Sequence, residues 1–114
     1  MTSIVLKPWG SYEVLEIGLK YSIKRIEVNS GGVLSLQSHV HRSEHWVIVE
    51  GVAEVTLNDK INTYKSNESI YIPVKAKHRL ANISEKKLVV IEVWYGDILE
   101  EEDIIRYEDI YDRK

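Results

Sequence analysis

Short runs in which apolar residues alternate with polar ones recur along most of the chain. Runs of this kind that are rich in Val, Ile, Tyr and Thr predict half-buried β-strands. The predicted strands cover residues 21–28, 33–41, 45–51, 52–58, 61–66, 69–74, 78–83 and 87–96. Clusters of Gly, Asn, Ser and Asp separate most of them and predict turns. Eight short strands at close spacing indicate an all-β fold, an antiparallel sandwich or a small barrel.

The C-terminal segment, from about residue 97 to residue 114, follows a different pattern. It is acidic, and its apolar residues Ile98, Ile104, Ile105 and Tyr107 are spaced less regularly than those of the strands. These residues could pack a short helix or an irregular arm against the barrel, and a solvated arm is the alternative. No repeat or linker divides the chain, so residues 1–114 are predicted to form a single domain.

Composition and charge narrow the classes of function. The chain has 114 residues, of which 44% are hydrophobic and 29% charged, as in soluble globular proteins. Its net charge is -3 and it has no basic stripe, so nucleic acid is not an expected partner. The absence of cysteine excludes disulfides and thiolate metal sites. No apolar stretch is long enough for a bilayer span or a signal peptide, which predicts a cytoplasmic protein without a membrane partner.

The sequence SLQSHVHRSEHW, at residues 35–46, carries three of the four histidines. If it is extended, alternation places Gln37, His39 and His41 on one face, with Glu44 at the start of the next strand. The fourth histidine is His78. Nitrogen and oxygen donors of this kind suit a divalent ion in a lined barrel interior. The spacing alone leaves open whether they are metal ligands or hydrogen-bonded core residues.

The same segment resembles the first motif of the cupin superfamily, G-x5-H-x-H-x3,4-E-x6-G. The matching positions are Gly31, Gln37, His39, Glu44 and Gly51. Every spacing fits, with Gln37 in place of the first histidine. The resemblance implies an antiparallel jelly-roll barrel.

A second cupin motif, G-x5-P-x-G-x2-H-x3-N, is met further along the chain. The corresponding residues are Asn67, Pro73, Lys75, His78 and Asn82. Both glycines are replaced, and although Asn tolerates a positive φ, lysine is unusual at such a turn. Two motifs with fixed spacing favour the cupin fold.

Longer stretches are similar to the C-terminal cupin domain of type II phosphomannose isomerases. They include KPWGSYEVL, YSIKRIEV, NESIYIPVKAKHRLAN and EEDIIRYEDIYDR, and the likeness runs from Lys7 to Arg113. In that family the domain usually follows a mannose-1-phosphate guanylyltransferase domain. The chain has no counterpart of that domain's Gly-rich nucleotide loop, so we expect no guanylyltransferase chemistry from it.

The resemblance implies a metal site and a reaction. Carried over residue by residue, the metal ligands are Gln37, His39, Glu44 and His78. The same ligand set occurs in the zinc-dependent type I isomerases, so zinc is the expected ion, with cobalt and manganese as alternatives. The implied reaction converts mannose 6-phosphate to fructose 6-phosphate through a cis-enediol and supplies mannose for GDP-mannose and polysaccharide synthesis.

Further residues receive expected roles in that reaction. His41, on the predicted inner face, is the candidate proton-transferring base. Arg42 is always protonated and is therefore expected to bind phosphate or the enediolate. Lys24 and Arg79 are candidate phosphate contacts, and surface charge is the alternative for each. His45 points away from the predicted inner face, so a core or interface role is expected for it.

The same fold is compatible with two other functions. One is a metal-free nucleotide-sugar epimerase or isomerase. The other is a non-catalytic cupin that binds a sugar phosphate or is the partner of a separate mannose-1-phosphate guanylyltransferase. Because a fold hosts many functions, the fold does not choose among them. The superfamily also leads us to expect a homodimer.

Overall fold

The computed structural model describes residues 3–111, in which all regular structure is β-strand. The strands are β1 (Ile4–Lys7), β2 (Gly10–Ile17), β3 (Tyr21–Val28), β4 (Leu36–Ser38), β5 (Ser43–Glu50), β6 (Val52–Leu57), β7 (Lys60–Lys65), β8 (Ser69–Ile72), β9 (His78–Asn82), β10 (Leu88–Tyr95) and β11 (Ile105–Glu108). Within the described range no helix is present that could cross a membrane. The predicted all-β class is confirmed.

The strands form two antiparallel sheets whose inner faces share one core. The first sheet has the order β1-β2-β3-β10-β5-β8 and the second the order β11-β4-β9-β6-β7. Ile48, Val28 and Val90 of the first sheet and Val55 and Leu80 of the second belong to the same buried apolar cluster. Burial of these side chains is the main force that holds the sheets together.

Three strands were not predicted, namely β1, β2 and β11. In β1 the apolar side chains Ile4 and Leu6 are exposed, so the strand lacks the alternation of a half-buried segment. The predicted strand at 33–41 is also too long, because only β4 is regular there and Val33 makes an isolated bridge to Ala81.

The C-terminal segment contains no helix within the described residues, so the helical alternative is wrong. Its residues 105–108 form β11, which pairs antiparallel with β4 in the second sheet. Residues 97–104 are irregular and run along the edge of the cavity described below. The predicted arm therefore exists as an edge strand with an irregular lead-in, and its residues 112–114 lie outside the described range.

The inner face of the first sheet changes from apolar to polar along its strands. In one row across the sheet, Val28 pairs with Leu88, and in the next Ile26 pairs with Val90. Two residues further on, Lys24 pairs with Glu92. The strands thus bury an apolar core at one end of the sandwich and a set of charged groups at the other.

Candidate metal-dependent active site

The polar end of the sandwich surrounds a cavity of about 820 Å³, counted with its open mouth. The carboxylates on its wall are Glu44, Glu92 and Glu101, and the cations are Lys7, Lys24, Arg42 and Arg106. Aromatic walls come from Trp9, Tyr12, Trp46 and Trp94. A cavity with these walls suits a polar, charged ligand.

His39, Glu44 and His78 meet at one point of the site. All three are buried, with exposed fractions of 3%, 2% and 1%. His39 Nε2 lies 3.2 Å from His78 Nε2 and 3.1 Å from Glu44 Oε2, and His78 Nε2 lies 4.0 Å from Glu44 Oε1. Ligand bonds of about 2.0–2.2 Å put donors of one ion roughly 3–4 Å apart. The three donors are therefore spaced as ligands of a single ion.

Backbone carbonyls fix the tautomer of both histidine rings. His39 Nδ1 lies 2.7 Å from the carbonyl oxygen of Asp103, and His78 Nδ1 lies 2.9 Å from that of Ala76. A carbonyl only accepts, so each Nδ1 carries the proton and each Nε2 presents a lone pair. Two buried lone pairs that face each other favour a cation between them. This arrangement orients histidine ligands in metal sites, so the donor set fits a divalent ion.

Glu44 is held as a carboxylate. Trp46 Nε1 donates to Oε1 at 2.8 Å and Arg42 Nε donates to Oε2 at 2.9 Å. Burial alone would raise the pKa of Glu44, but the close contacts of its carboxylate with His39 and His78 lower it well below its usual range. Burial in turn lowers the pKa of His78. An ionised Glu44 and a neutral His78 are the forms that bind metal.

Gln37 lies beside this cluster. It is on β4 and pairs directly with His78 on β9, so the two side chains share the inner face of the second sheet. Gln37 also lines the cavity. The structure thus brings His39, Glu44 and His78 together, with Gln37 adjacent on the same wall.

The two positions of the second cupin motif at which glycine is replaced have the positive φ that glycine favours. Asn67 and Lys75 have φ angles of 73° and 69°. Lys75 keeps this conformation although it carries a side chain, and its N–H donates to the carbonyl oxygen of His39 at 2.8 Å. The loop that precedes His78 is therefore hydrogen-bonded directly to the backbone of His39.

Arg42 is buried beside the donors rather than free in the cavity. Its Nη2 lies 3.2 Å from His39 Nε2, and its Nη1 donates to the carbonyl oxygens of Glu100 and Asp103. The guanidinium also stacks on Trp94, 3.4 Å from the ring centroid. Arg42 therefore holds the ligands and the C-terminal segment together.

Lys24 reaches the cavity from β3 and is 4% exposed. Its Nζ lies 2.6 Å from Glu101 Oε2 on the C-terminal segment. The same ammonium lies 4.2 Å from the ring centroid of Tyr12 and 3.7 Å from that of Trp94. Two aromatic faces and a carboxylate stabilise this buried cation.

Glu92 and Asp103 are among the site residues that were missed from the sequence. Glu92 is buried on β10, where Trp94 Nε1 donates to its Oε1 at 2.7 Å. Burial first, and then the charge of Glu44, raise the pKa of Glu92 well above its usual range. The sequence did contain a signal for Glu92, because alternation in β10 places its charged side chain among the inward-facing positions. The carboxylate of Asp103 accepts hydrogen bonds from the N–H groups of Val40 and His41. No alternation around Asp103 in the sequence indicates this role.

Two residues that were predicted to act in the site, His41 and Arg79, lie outside the cavity lining. His41 was expected on the inner face, but its side chain is exposed and does not line the cavity, because residues 39–42 form a turn between β4 and β5. Arg79 also lies outside the lining: its Nε donates to the carbonyl oxygen of Leu34 and its Nη1 bonds Glu108. His45 is exposed beside Tyr71, with ring centroids 4.7 Å apart, as expected for a residue that points away from the site.

Two facing antiparallel sheets with a buried His–Glu–His cluster between them define a cupin. An RmlC-like cupin from Shewanella frigidimarina superposes with a TM-score of 0.76 at 17% sequence identity, and the match covers 89% of this chain and 87% of that one. At this identity the likeness shows the fold alone.

The sequence comparisons are more specific than the fold. The family described as mannose-6-phosphate isomerase C-terminal matches residues 1–109, and the chain belongs to it. Mannose-1-phosphate guanylyltransferase ManC of Salmonella typhimurium is 49% identical over 109 residues, and the xanthan biosynthesis protein XanB of Xanthomonas campestris is 47% identical over the same length. Each match covers 96% of this chain but 23% of the relative. The chain thus spans about a quarter of these relatives.

Proposed function

We propose that the chain is a metal-dependent isomerase that interconverts mannose 6-phosphate and fructose 6-phosphate. The observation that carries the proposal is the buried cluster of His39, Glu44 and His78 on the wall of a cationic cavity. Membership of an isomerase family supports the same reaction. The relatives are named for guanylyltransferase and xanthan synthesis, so we propose that the product serves GDP-mannose and polysaccharide synthesis.

Gln37, His39, Glu44 and His78 would hold a divalent ion, zinc first, with cobalt and manganese as alternatives. When bound, such an ion supplies a Lewis acid that polarises the carbonyl oxygen of the open-chain sugar. The fixed Nδ1 protons of the two histidines keep their Nε2 atoms directed to that position. Arg42 keeps Glu44 oriented and adds positive charge where negative charge develops in the enediolate.

The proton that moves between C2 and C1 needs a positioned acceptor in the cavity. His41 was the expected base, but its exposed side chain lies outside the lining. Glu92 lines the cavity and is held by Trp94 rather than by a cation within hydrogen-bond distance. We therefore assign the proton-transfer role to Glu92. Glu92 is 7% exposed, so little bulk water reaches its carboxyl group.

An assay with a panel of metals tests the proposal. The purified chain is stripped with a chelator, reloaded with zinc, cobalt or manganese, and supplied with mannose 6-phosphate. We expect fructose 6-phosphate to form only after metal is restored, and not when Glu92→Gln replaces the wild type. Turnover that is insensitive to the chelator would favour the metal-free epimerase or isomerase. Binding of metal and sugar phosphate without turnover would favour the non-catalytic cupin.

Two partner proposals accompany this function. A homodimer is one, and several apolar side chains on the outer face of the first sheet are exposed, among them Val47, Val49 and Tyr71. A separate mannose-1-phosphate guanylyltransferase is the other, because the relatives that carry that name are longer than this chain. Light scattering of the purified chain, alone and mixed with such an enzyme, tests both. A cytoplasmic location likewise stays a prediction.

A further inference from the structure

Arg106 is a half-buried cation that lines the cavity, and its Nε lacks a hydrogen-bond partner among the described residues. It lies on β11 directly opposite Gln37 of β4, so the two side chains share the inner face, and both line the cavity. Its Nε is shielded from solvent and has no hydrogen-bond partner among residues 3–111. A buried donor of a charged group is costly when it lacks an acceptor. The position therefore suits an acceptor that comes from outside the chain.

The two buried cations of the cavity, Lys24 and Arg42, already have carboxylate partners. Lys24 pairs with Glu101 at 2.6 Å, and Arg42 pairs with Glu44 at 2.9 Å. Within the described part of the chain, neither Arg106 nor Lys7, which lines the same cavity, is in an ion pair. Of the four cations that line the cavity, Arg106 and Lys7 are thus the two that have no carboxylate partner within residues 3–111.

We propose that Arg106, assisted by Lys7, binds the phosphoryl group of the substrate. A guanidinium fork matches the oxygens of a phosphoryl group, and an ammonium adds a point charge. That the phosphoryl group belongs to a six-carbon sugar rests on the proposed function. The anion site itself rests only on the two unpaired cations.

The register of the second sheet supports this assignment. Arg106 is opposite Gln37, and Gln37 is opposite His78, so Arg106 and His78 are two strands apart on one face. Two strand spacings amount to about 10 Å. A six-carbon sugar phosphate can extend over such a distance, with its carbonyl end at the histidines and its phosphoryl end at Arg106.

The test compares Arg106→Gln with Arg79→Gln, which removes a cation outside the cavity. Calorimetric titration with inorganic phosphate and with fructose 6-phosphate should show binding that is on the order of 10- to 100-fold weaker in Arg106→Gln and unchanged in Arg79→Gln. If the chain is active, KM should rise by a similar factor with a smaller change in kcat. Arg106→Lys should recover part of the binding.

Several outcomes separate this inference from the proposed function. If wild type binds phosphate through Arg106 but shows no turnover, the phosphoryl site stands and the isomerase does not. If Arg106→Gln is folded and binds both ligands as wild type does, the phosphoryl site is refuted, whatever the activity. The metal-dependent rise in melting temperature reports folding of the variant. If Arg106→Gln is unfolded, Arg106→Lys decides: unchanged affinity overturns the inference, and weakened affinity supports it.

Discussion

Replacement of His39 by alanine should remove most of the stabilisation that metal binding is expected to give the chain. A ligand that binds only the folded state stabilises it by about 2.7 kcal/mol at a free concentration 100 times its dissociation constant. For a chain of 114 residues, an unfolding entropy of about 2.1 cal/mol/K per residue converts this energy into a rise of roughly 11 °C in Tm. His39 supplies the Nε2 atom that lies closest to both other donors, so His39→Ala should lose most of this rise.

The measurement is a thermal melt of each variant with chelator and with zinc in excess. His45→Ala is the matched control, because His45 is an exposed histidine on the outer face of β5 and packs beside Tyr71. It should keep the full metal-dependent rise. His39→Ala also leaves Arg42 Nη2 without its acceptor, so its Tm in chelator is compared only with its own value in zinc. Equal rises in both variants, or none in wild type, would refute the assigned metal site.

Two other substitutions test the surroundings of the donors. Arg42→Ala should lower kcat on the order of 10²–10³-fold, since it removes a charge beside the reacting oxygen; steady-state kinetics measure it, and full activity would exclude the role of Arg42. Gly96→Ala should destabilise the fold by about 1–3 kcal/mol, because a Cβ there would overlap the carbonyl oxygen of His41. Urea unfolding measures that loss, and an unchanged midpoint would contradict the packing at this turn.

The sequence allowed the strands of the sandwich and the donor cluster to be predicted for different reasons. Strands such as β3 bury every second side chain, and this alternation is visible without a structure. The candidate ligands were predicted because two separate cupin motifs, each with its own spacing, contain residues 39 and 78. Spacing within a family thus carried information that periodicity alone could not supply.

Errors arose where the chain leaves regular structure or pairs over long distances. The side chain of His41 was placed by strand alternation, but β4 ends at Ser38 and β5 begins at Ser43, so alternation does not apply between them. Arg106 gains its place in the cavity only when β11 pairs with β4, far away in sequence. No local pattern near Arg106 predicts that pairing. Arg79 shows that adjacency in sequence does not place a residue in the site. Its neighbour His78 faces the site, whereas Arg79 donates a hydrogen bond to Glu108 outside the cavity.

The C-terminal segment has a greater part in the site than its acidic sequence suggests. The carbonyl oxygen of Asp103 fixes the ring of His39, and the carboxylate of the same residue accepts the N–H groups of Val40 and His41. Glu101 neutralises Lys24 within the cavity. Since the orientation of His39 depends on this segment, we expect binding of a metal at the donor cluster and the placement of residues 97–104 to favour each other by the same free energy. The C-terminal segment therefore positions groups of the cavity in addition to supplying β11 to the second sheet.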